Sequence, residues 1–256
     1  MSPASPLHVV ITGASGGLGA ALARHYASRG AALGLTARSP GEMEALAGTY
    51  PGRCIYRTAD VRDAVAMREA AAHFREQHDL ADIVIANAGI SVGTLTEFAE
   101  DERSFRDVID TNLIGMVNTF QPYLGAMRER GSGILAGIAS VAGYRGLPGA
   151  GAYSASKAAA ISYLESLRVE LRDSGVSVIT LCPGYIVTAM TARNPYPMPF
   201  IMSAEEGAGK IVRIIERGQT YAVIPWQMAI VARLMHVMPR WLYDRLASGA
   251  GRKPRN

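Results

Sequence analysis

Apolar positions along the chain alternate between two periodicities. Leu7–Thr12 (LHVVIT) is a short, β-branched run that ends in glycines, the signature of a buried strand. Leu18–Ser28 follows with Leu22, Ala23 and Tyr26 recurring on one helical face and Gly30 closing the helix. The same succession repeats: strand Ala32–Ala37, helix Glu42–Ala47, strand Cys54–Arg57, helix Ala64–His78, strand Ile83–Ala86. Glu100–Arg130 reads as one or two long helices with a kink or boundary at Pro122. A strand over Gly133–Ala139, a helix over Tyr153–Ser174, and strands over Val176–Leu181 and Tyr221–Ile224 complete the pattern. Strand–helix alternation repeated this often specifies an α/β fold, a parallel sheet covered by helices on both faces. No long linker or repeat interrupts it, so the 256 residues are expected to form a single domain.

Composition adds little beyond a globular balance, with 49% hydrophobic and 19% charged residues. The formal net charge is +4, and much of the excess sits in the terminal GRKPRN with Arg252, Lys253 and Arg255. A short basic tail of this kind is expected to be solvated and mobile, with contact to anionic lipid or nucleic acid as the sharper alternative. Nothing else points to nucleic acid, and none is expected as a partner. Cys54 and Cys182 match no metal-ligand or redox spacing and are expected as buried, reduced thiols. The N-terminus lacks a basic segment followed by an apolar stretch, and no run approaches the ~18 apolar residues of a spanning helix, so a cytoplasmic protein is expected.

The first chemical signal is TGASGGLG, residues 12–19, between the first strand and the first helix. Gly13, Gly17 and Gly19 permit a sharp turn and close backbone approach to a ligand. The helix start behind them, with Ser15 and Leu18, offers free N–H groups suited to a pyrophosphate. In such folds a carboxylate about 20 positions on, at the end of the second strand, binds the adenosine ribose. Here that strand ends LTARS, with Ala37 and Arg38 at that place. A guanidinium binds a 2′-phosphate that a carboxylate would repel, which favours NADP(H) over NAD(H); an exposed loop arginine is the bland alternative.

The second signal is YSASK, residues 153–157, which sets a phenol and an ammonium on one face of a helix. A free tyrosine titrates near pH 10, and a neighbouring ammonium is expected to favour its phenolate. Ser140, at the end of the fifth strand, can present a hydroxyl at the carboxyl edge of the sheet, where ligands collect. A helix-surface pair is the competing reading for Tyr153 and Lys157, and Ser154 and Ser156 are rivals to Ser140.

TGASGGLG, ANAG at 86–89, TNLIG at 111–115, Ser140, YSASK and PGYIVT at 183–188 occur in an order that resembles the short-chain dehydrogenase/reductase family in its "classical" branch. The resemblance covers residues 7 to about 190. The one departure is Ala86 where the family's motif usually begins with a second Asn. The resemblance implies a Rossmann-like, doubly wound domain with a parallel sheet of about seven strands. It implies an oxidoreductase that interconverts a carbonyl and an alcohol, with Asn112, Ser140, Tyr153 and Lys157 as the catalytic set. Ser140 and Tyr153 would hold the carbonyl oxygen, Tyr153 would donate the proton, and Lys157 would bind the nicotinamide ribose. Asn112 would hold a water that connects Lys157 to solvent, or else simply tie a turn together. Asp60 and Val61 occupy the adenine position, where Asp60 can equally start a helix. Asn87, Ala88 and Gly89 shape the loop beside the cofactor; Pro183, Gly184 and Ile186 shape the nicotinamide turn, and Thr188 matches the carboxamide contact. A dinucleotide-binding regulator without turnover remains the alternative function.

Substrate choice is expected from residues 189–215, where Met190, Tyr196, Met198, Phe200 and Met202 suit an apolar, adaptable pocket or, equally, plain core. The extension over 221–256 carries Trp226, Met228, Ile230, Val231, Leu234, Met235, Met238, Trp241 and Leu242, interleaved with Arg233, Arg240 and Arg245. It is expected to pack on its own domain or on a second subunit, with an interfacial membrane helix as the alternative. The family resemblance implies a homodimer or homotetramer acting on a small molecule.

Overall fold

The computed structural model describes residues 6–249 and 251–255. Seven parallel strands form one sheet in the order β3-β2-β1-β4-β5-β6-β7. They are β1 (His8–Thr12), β2 (Ala32–Ala37), β3 (Cys54–Thr58), β4 (Ile83–Ala86), β5 (Gly133–Ile138), β6 (Val176–Pro183) and β7 (Tyr221–Ile224). The connecting helices are α1 (Gly17–Ser28), α2 (Glu42–Thr49), α3 (Ala64–His78), α4 (Asp101–Ile109), α5 (Gly115–Arg130), α6 (Gly151–Glu170) and α7 (Ala204–Glu216). Two further helices, α8 (Trp226–Val237) and α9 (Arg240–Ala247), follow the last strand.

Strand residues divide between two cores by their parity. Val9, Ile11, Ile83, Ile85, Ile179 and Leu181 face α1 and α7, while Val10, Val84, Leu135 and Val178 face α3, α5 and α6. Both faces are therefore buried, which is why the strands read as continuous apolar runs rather than as alternating ones. Gly137 sits where Leu164 of α6 presses on the sheet: a Cβ there would lie 2.5 Å from Leu164 Cδ1. β1 pairs with β2 on one side and β4 on the other, so the chain reverses its winding there and opens a crevice at the carboxyl edge.

Several boundaries differ from the sequence expectation. Pro122 does not end a helix; it lies inside α5. Met116, Phe120, Tyr123 and Met127 bury one stripe of α5 in the core, and that packing carries the helix across the missing hydrogen bond. The discontinuity falls instead on a π-helical turn, Asp110–Ile114, between α4 and α5. α6 spans Gly151–Glu170 rather than Tyr153–Ser174, which puts Tyr153 in its first turn. Only the first part of the 189–215 stretch is loop, because α7 begins at Ala204 behind its N-cap, Ser203.

The C-terminal extension is broken into α8 and α9 around Pro239. α8 buries Met228 and Ala232 against Val141, but Trp226, Ile230, Leu234, Val237 and Trp241 remain exposed. α8 thus meets its own domain through Met228 and Ala232 and leaves this stripe uncovered. Helical spacing of 4, 4 and 3 puts Trp226, Ile230, Leu234 and Val237 on the outward side once Met228 and Ala232 turn inward. No helix among the described residues is long and apolar enough to cross a membrane. Residues 251–255 are not a solvated tail: they lie across the loops that follow β4 and β5.

Candidate active site

The glycine turn is built by close approach. Gly13 and Gly17 have φ of 68° and 55°, left-handed values that favour glycine. A Cβ on Gly13 would stand 2.8 Å from Ala88 Cα, and one on Gly19 would stand 2.2 Å from the Gly13 carbonyl oxygen. The turn can therefore meet the end of β4 only because both side chains are missing. Thr12 Oγ1 accepts from the N–H groups of Asn87 and Ala88 at 3.2 and 3.3 Å. Asn87 Nδ2 donates back to the carbonyls of Thr12 and Gly13 at 3.0 and 3.2 Å. Asn87 is thus a stitch between β4 and the turn.

α1 begins with no side-chain cap and no acidic residue in its first turn. Its start faces a cavity of about 520 Å³. An uncapped helix start leaves N–H donors and a positive dipole end turned toward that space. The cavity wall contains Gly13, Ser15, Gly17, Leu18, Gly19, Arg38, Asp60, Val61, Asn87, Ala88, Gly89, Ser140, Tyr153, Lys157, Pro183, Gly184, Ile186 and Thr188. Of the expected site residues only Asn112 lies behind the wall. Residues that shape an elongated crevice, from Arg38 at one end to Tyr153 and Thr188 at the other, fit a dinucleotide, with the glycine cradle and helix start suited to its pyrophosphate.

Asp60 does not start a helix; Asp63 does, accepting from Val65 and Ala66 N–H groups. Asp60 is instead clasped by Arg62, whose hydrogen bonds hold its carboxyl below the usual carboxylate range. Arg38 is exposed at the cavity rim and forms no ion pair among the described residues.

Tyr153 and Lys157 share one face of α6, with the Lys157 Nζ 5.8 Å from the Tyr153 ring centroid. Lys157 is buried and donates to the Ile138 carbonyl at 2.7 Å, and burial lowers its pKa to about 8. The Tyr153 phenol is not depressed by this neighbour, contrary to the sequence expectation. Burial dominates and raises it above the ordinary tyrosine value, while the Ser140 hydroxyl pulls the other way. The Lys157 ammonium is turned to the Ile138 carbonyl, and burial is the largest influence on the phenol. Ser140 Oγ accepts from Ala142 N–H at 3.1 Å and lies 3.4 Å from the Pro183 carbonyl.

Asn112 occupies the π-helical turn and is buried. Its Oδ1 accepts from Ile90 N–H at 2.8 Å, and its Nδ2 donates to the Ile90 carbonyl at 3.0 Å and to Ser156 Oγ at 2.9 Å. Ser156 Oγ in turn donates to the Tyr153 carbonyl at 2.8 Å. The rival serines therefore have other tasks: Ser156 is a strut under Tyr153, and Ser154 Oγ accepts from Leu147 N–H.

Sequence reasoning missed Thr12, the Ser156 strut and Thr191. Thr191 Oγ1 accepts from Thr188 N–H and donates to the Ile186 carbonyl, fixing the turn after β6. It also missed Tyr185, which, like the expected pocket residue Tyr196, stands close enough to Tyr153 for the two phenols to interact electrostatically. A polar residue closing an apolar strand was the available signal for Thr12.

The chain matches the short chain dehydrogenase family over residues 7–197. It is 37% identical over 241 residues to an uncharacterized oxidoreductase of Myxococcus xanthus, covering 93% of this chain and 95% of that relative. A short chain dehydrogenase from Burkholderia cenocepacia, solved in complex with NADP, is 26% identical with a TM-score of 0.81, covering 94% of this chain and 98% of that one. A short chain dehydrogenase/reductase from Burkholderia phymatum, solved with NAD, has a TM-score of 0.82 and covers 100% of this chain and 99% of its own; at 23% identity it speaks for the fold alone. The protein belongs to the short-chain dehydrogenase/reductase family.

The burial of Lys157 predicts a stability signature in the cofactor-free protein. Unfolded, this lysine titrates near 10.4; folded, near 8. Below pH 8 it is charged in both states and the folded state bears the full burial penalty. Between about 8 and 10.4 the folded state sheds its proton first, so stability rises with pH. Urea unfolding at pH 7.5 and 9.5 should show wild type gaining about 1–2 kcal/mol on Lys157→Met. An unchanged difference between the two pH values contradicts the buried ammonium.

Proposed function

We propose that this protein is an NADP(H)-dependent oxidoreductase that interconverts a carbonyl and an alcohol on a substrate with an apolar body. The observation that carries this reading is the convergence of Ser140, Tyr153 and Lys157 on the wall of one cavity with the glycine turn. Arg38, exposed at the rim without an ion-pair partner, supports the added phosphate of NADP. When bound, a reduced nicotinamide supplies hydride to the carbonyl carbon.

The protein's own residues supply the rest. Tyr153 Oη, protonated through neutral pH as any phenol is and held above the ordinary tyrosine value by desolvation, donates its proton to the carbonyl oxygen. Ser140 Oγ turns from its weak contact with Pro183 to hydrogen-bond the same oxygen. Lys157 keeps a positive charge on the ring's side of the helix, which stabilises the phenolate left behind and favours its reprotonation. Asn112 fixes Ile90 and, through Ser156, the first turn of α6, and it stands beside Gly89 and Lys157 where a proton path to solvent would run.

Of the apolar residues after the Pro183–Gly184 turn, Met190 lines the cavity, whereas Met202 joins the core and Phe200 is exposed. Met190 therefore supports the apolar substrate body, and Met202 serves packing. Association into a dimer or tetramer belongs to the same reading, supported by the exposed stripe of α8.

Tyr153→Phe should lower kcat for NADPH-dependent carbonyl reduction by roughly 10²- to 10⁴-fold while NADPH affinity, read by fluorescence titration, is kept. Retained turnover counts against Tyr153 as the proton donor. Arg38→Ala should weaken NADPH binding by about 10- to 100-fold, the loss of charge-assisted hydrogen bonds, and leave NADH binding unchanged. Equal losses for both cofactors refute the phosphate assignment.

A further inference from the structure

The C-terminal residues 251–255 form an extended strap over the loops that follow β4 and β5. The Gly93 N–H donates to the Pro254 carbonyl at 3.0 Å. Gly149, after β5, lies so close that a Cβ there would stand 3.0 Å from Arg252 Cβ. Gly251 rests on Tyr196 of the β6 loop, with an added Cβ 2.7 Å from Tyr196 Cβ. The first residues of these three loops, Asn87–Ile90, Ala139–Ser140 and Pro183–Gly184, line the crevice, and the Tyr196 phenol is near enough to that of Tyr153 to interact with it electrostatically.

Burial alternates along the strap. Lys253 and Arg255 are half-buried, while Arg252 and Pro254 are exposed. Arg255 is fully engaged: it donates to Asp101 and Glu100 at 2.8 Å each and lies 3.7 Å over the Phe98 ring. Asp101 is itself held by Leu95 N–H at 2.8 Å, so Arg255 fastens the strap to a fixed point. Lys253 is different. Its Nζ donates to Ser91 Oγ at 2.8 Å and has no carboxylate within salt-bridge distance among the described residues. Ser91 lies two residues beyond Gly89, which adjoins Lys157. An ammonium carries three donors, and a half-buried one without a counter-charge is held at a desolvation penalty. Burial lowers its pKa accordingly.

We propose that Lys253 is a specificity-determining residue that binds an anionic group, a carboxylate or phosphate, at the far end of the substrate, with Arg255 as the positioning residue that fastens the strap. The proposal rests on the carbonyl-reductase reading and narrows it: the substrate is an amphipathic oxo acid, apolar in its body and anionic at its end.

The test uses the full-length protein, NADPH and a series of medium-chain oxo carboxylates, each with its methyl ester, and the corresponding oxo phosphates as a second anionic set. At the preferred chain length, wild type should reduce one anionic set with at least tenfold higher kcat/KM than the esters. Lys253→Met should raise KM for those acids at least tenfold and leave kcat, and both constants for the esters, unchanged. Arg255→Ala should give the same split, which general loss of structure would not. Esters preferred by wild type, or acids and esters lost together in Lys253→Met, overturn the proposal. A thermal-shift measurement with and without NADPH separates it from the redox reading. If no carbonyl is reduced but an oxo acid stabilises wild type and not Lys253→Met, the anion site stands and the redox reading falls. If neither occurs, the anion site falls as well.

Discussion

The site depends on how closely the turn after β1 approaches the end of β4. Gly13 and Ala88 meet at a separation that leaves no room for a Cβ, and Thr12 and Asn87 lock the approach with reciprocal hydrogen bonds. This contact sets the start of α1 over the sheet edge with its N–H groups uncapped, and it fixes the direction in which Ala88, Gly89 and Ile90 continue. A side chain at position 13 would push β4's exit away from the turn and split the crevice in two.

A second polar layer is hung from that exit. Ile90 is held on both its N–H and its carbonyl by Asn112, and Asn112 reaches through Ser156 to the carbonyl of Tyr153. The π-helical turn that carries Asn112 gives up regular helix geometry, as such turns do where a side chain must be placed for function. Lys157, with one backbone acceptor and no carboxylate, is kept at some loss of stability, and Lys253, whose Nζ donates to Ser91 Oγ, likewise has no carboxylate partner among the described residues.

Much of the fold was legible because it is local. β2, α3, β4 and β7 have the bounds their apolar patterns predict, and the repeated strand–helix succession gives the parallel sheet. The candidate site residues belong to short motifs at strand ends, and the topology gathers all of them but Asn112 around one cavity. What escaped was set by tertiary packing. Pro122 stays helical because the core stripe of α5 outweighs its local preference. The Tyr153 phenol rises rather than falls because burial, which no spacing reveals, outweighs the pull of the Ser140 hydroxyl. The strap was illegible because Arg255 finds Glu100 and Asp101 across some 155 residues of sequence, so a locally basic, proline-containing end reads as solvated.

The central claim is that a dinucleotide lies along the crevice with its pyrophosphate on the start of α1 and its reactive ring beside Tyr153. A crystal structure of the protein with NADP bound tests it most directly. The account requires the pyrophosphate oxygens on the backbone N–H groups at Gly17 and Leu18, and the nicotinamide between Tyr153 and the Pro183–Thr188 turn. A dinucleotide ordered in any other place, or one whose nicotinamide lies away from the Tyr153 hydroxyl, contradicts it.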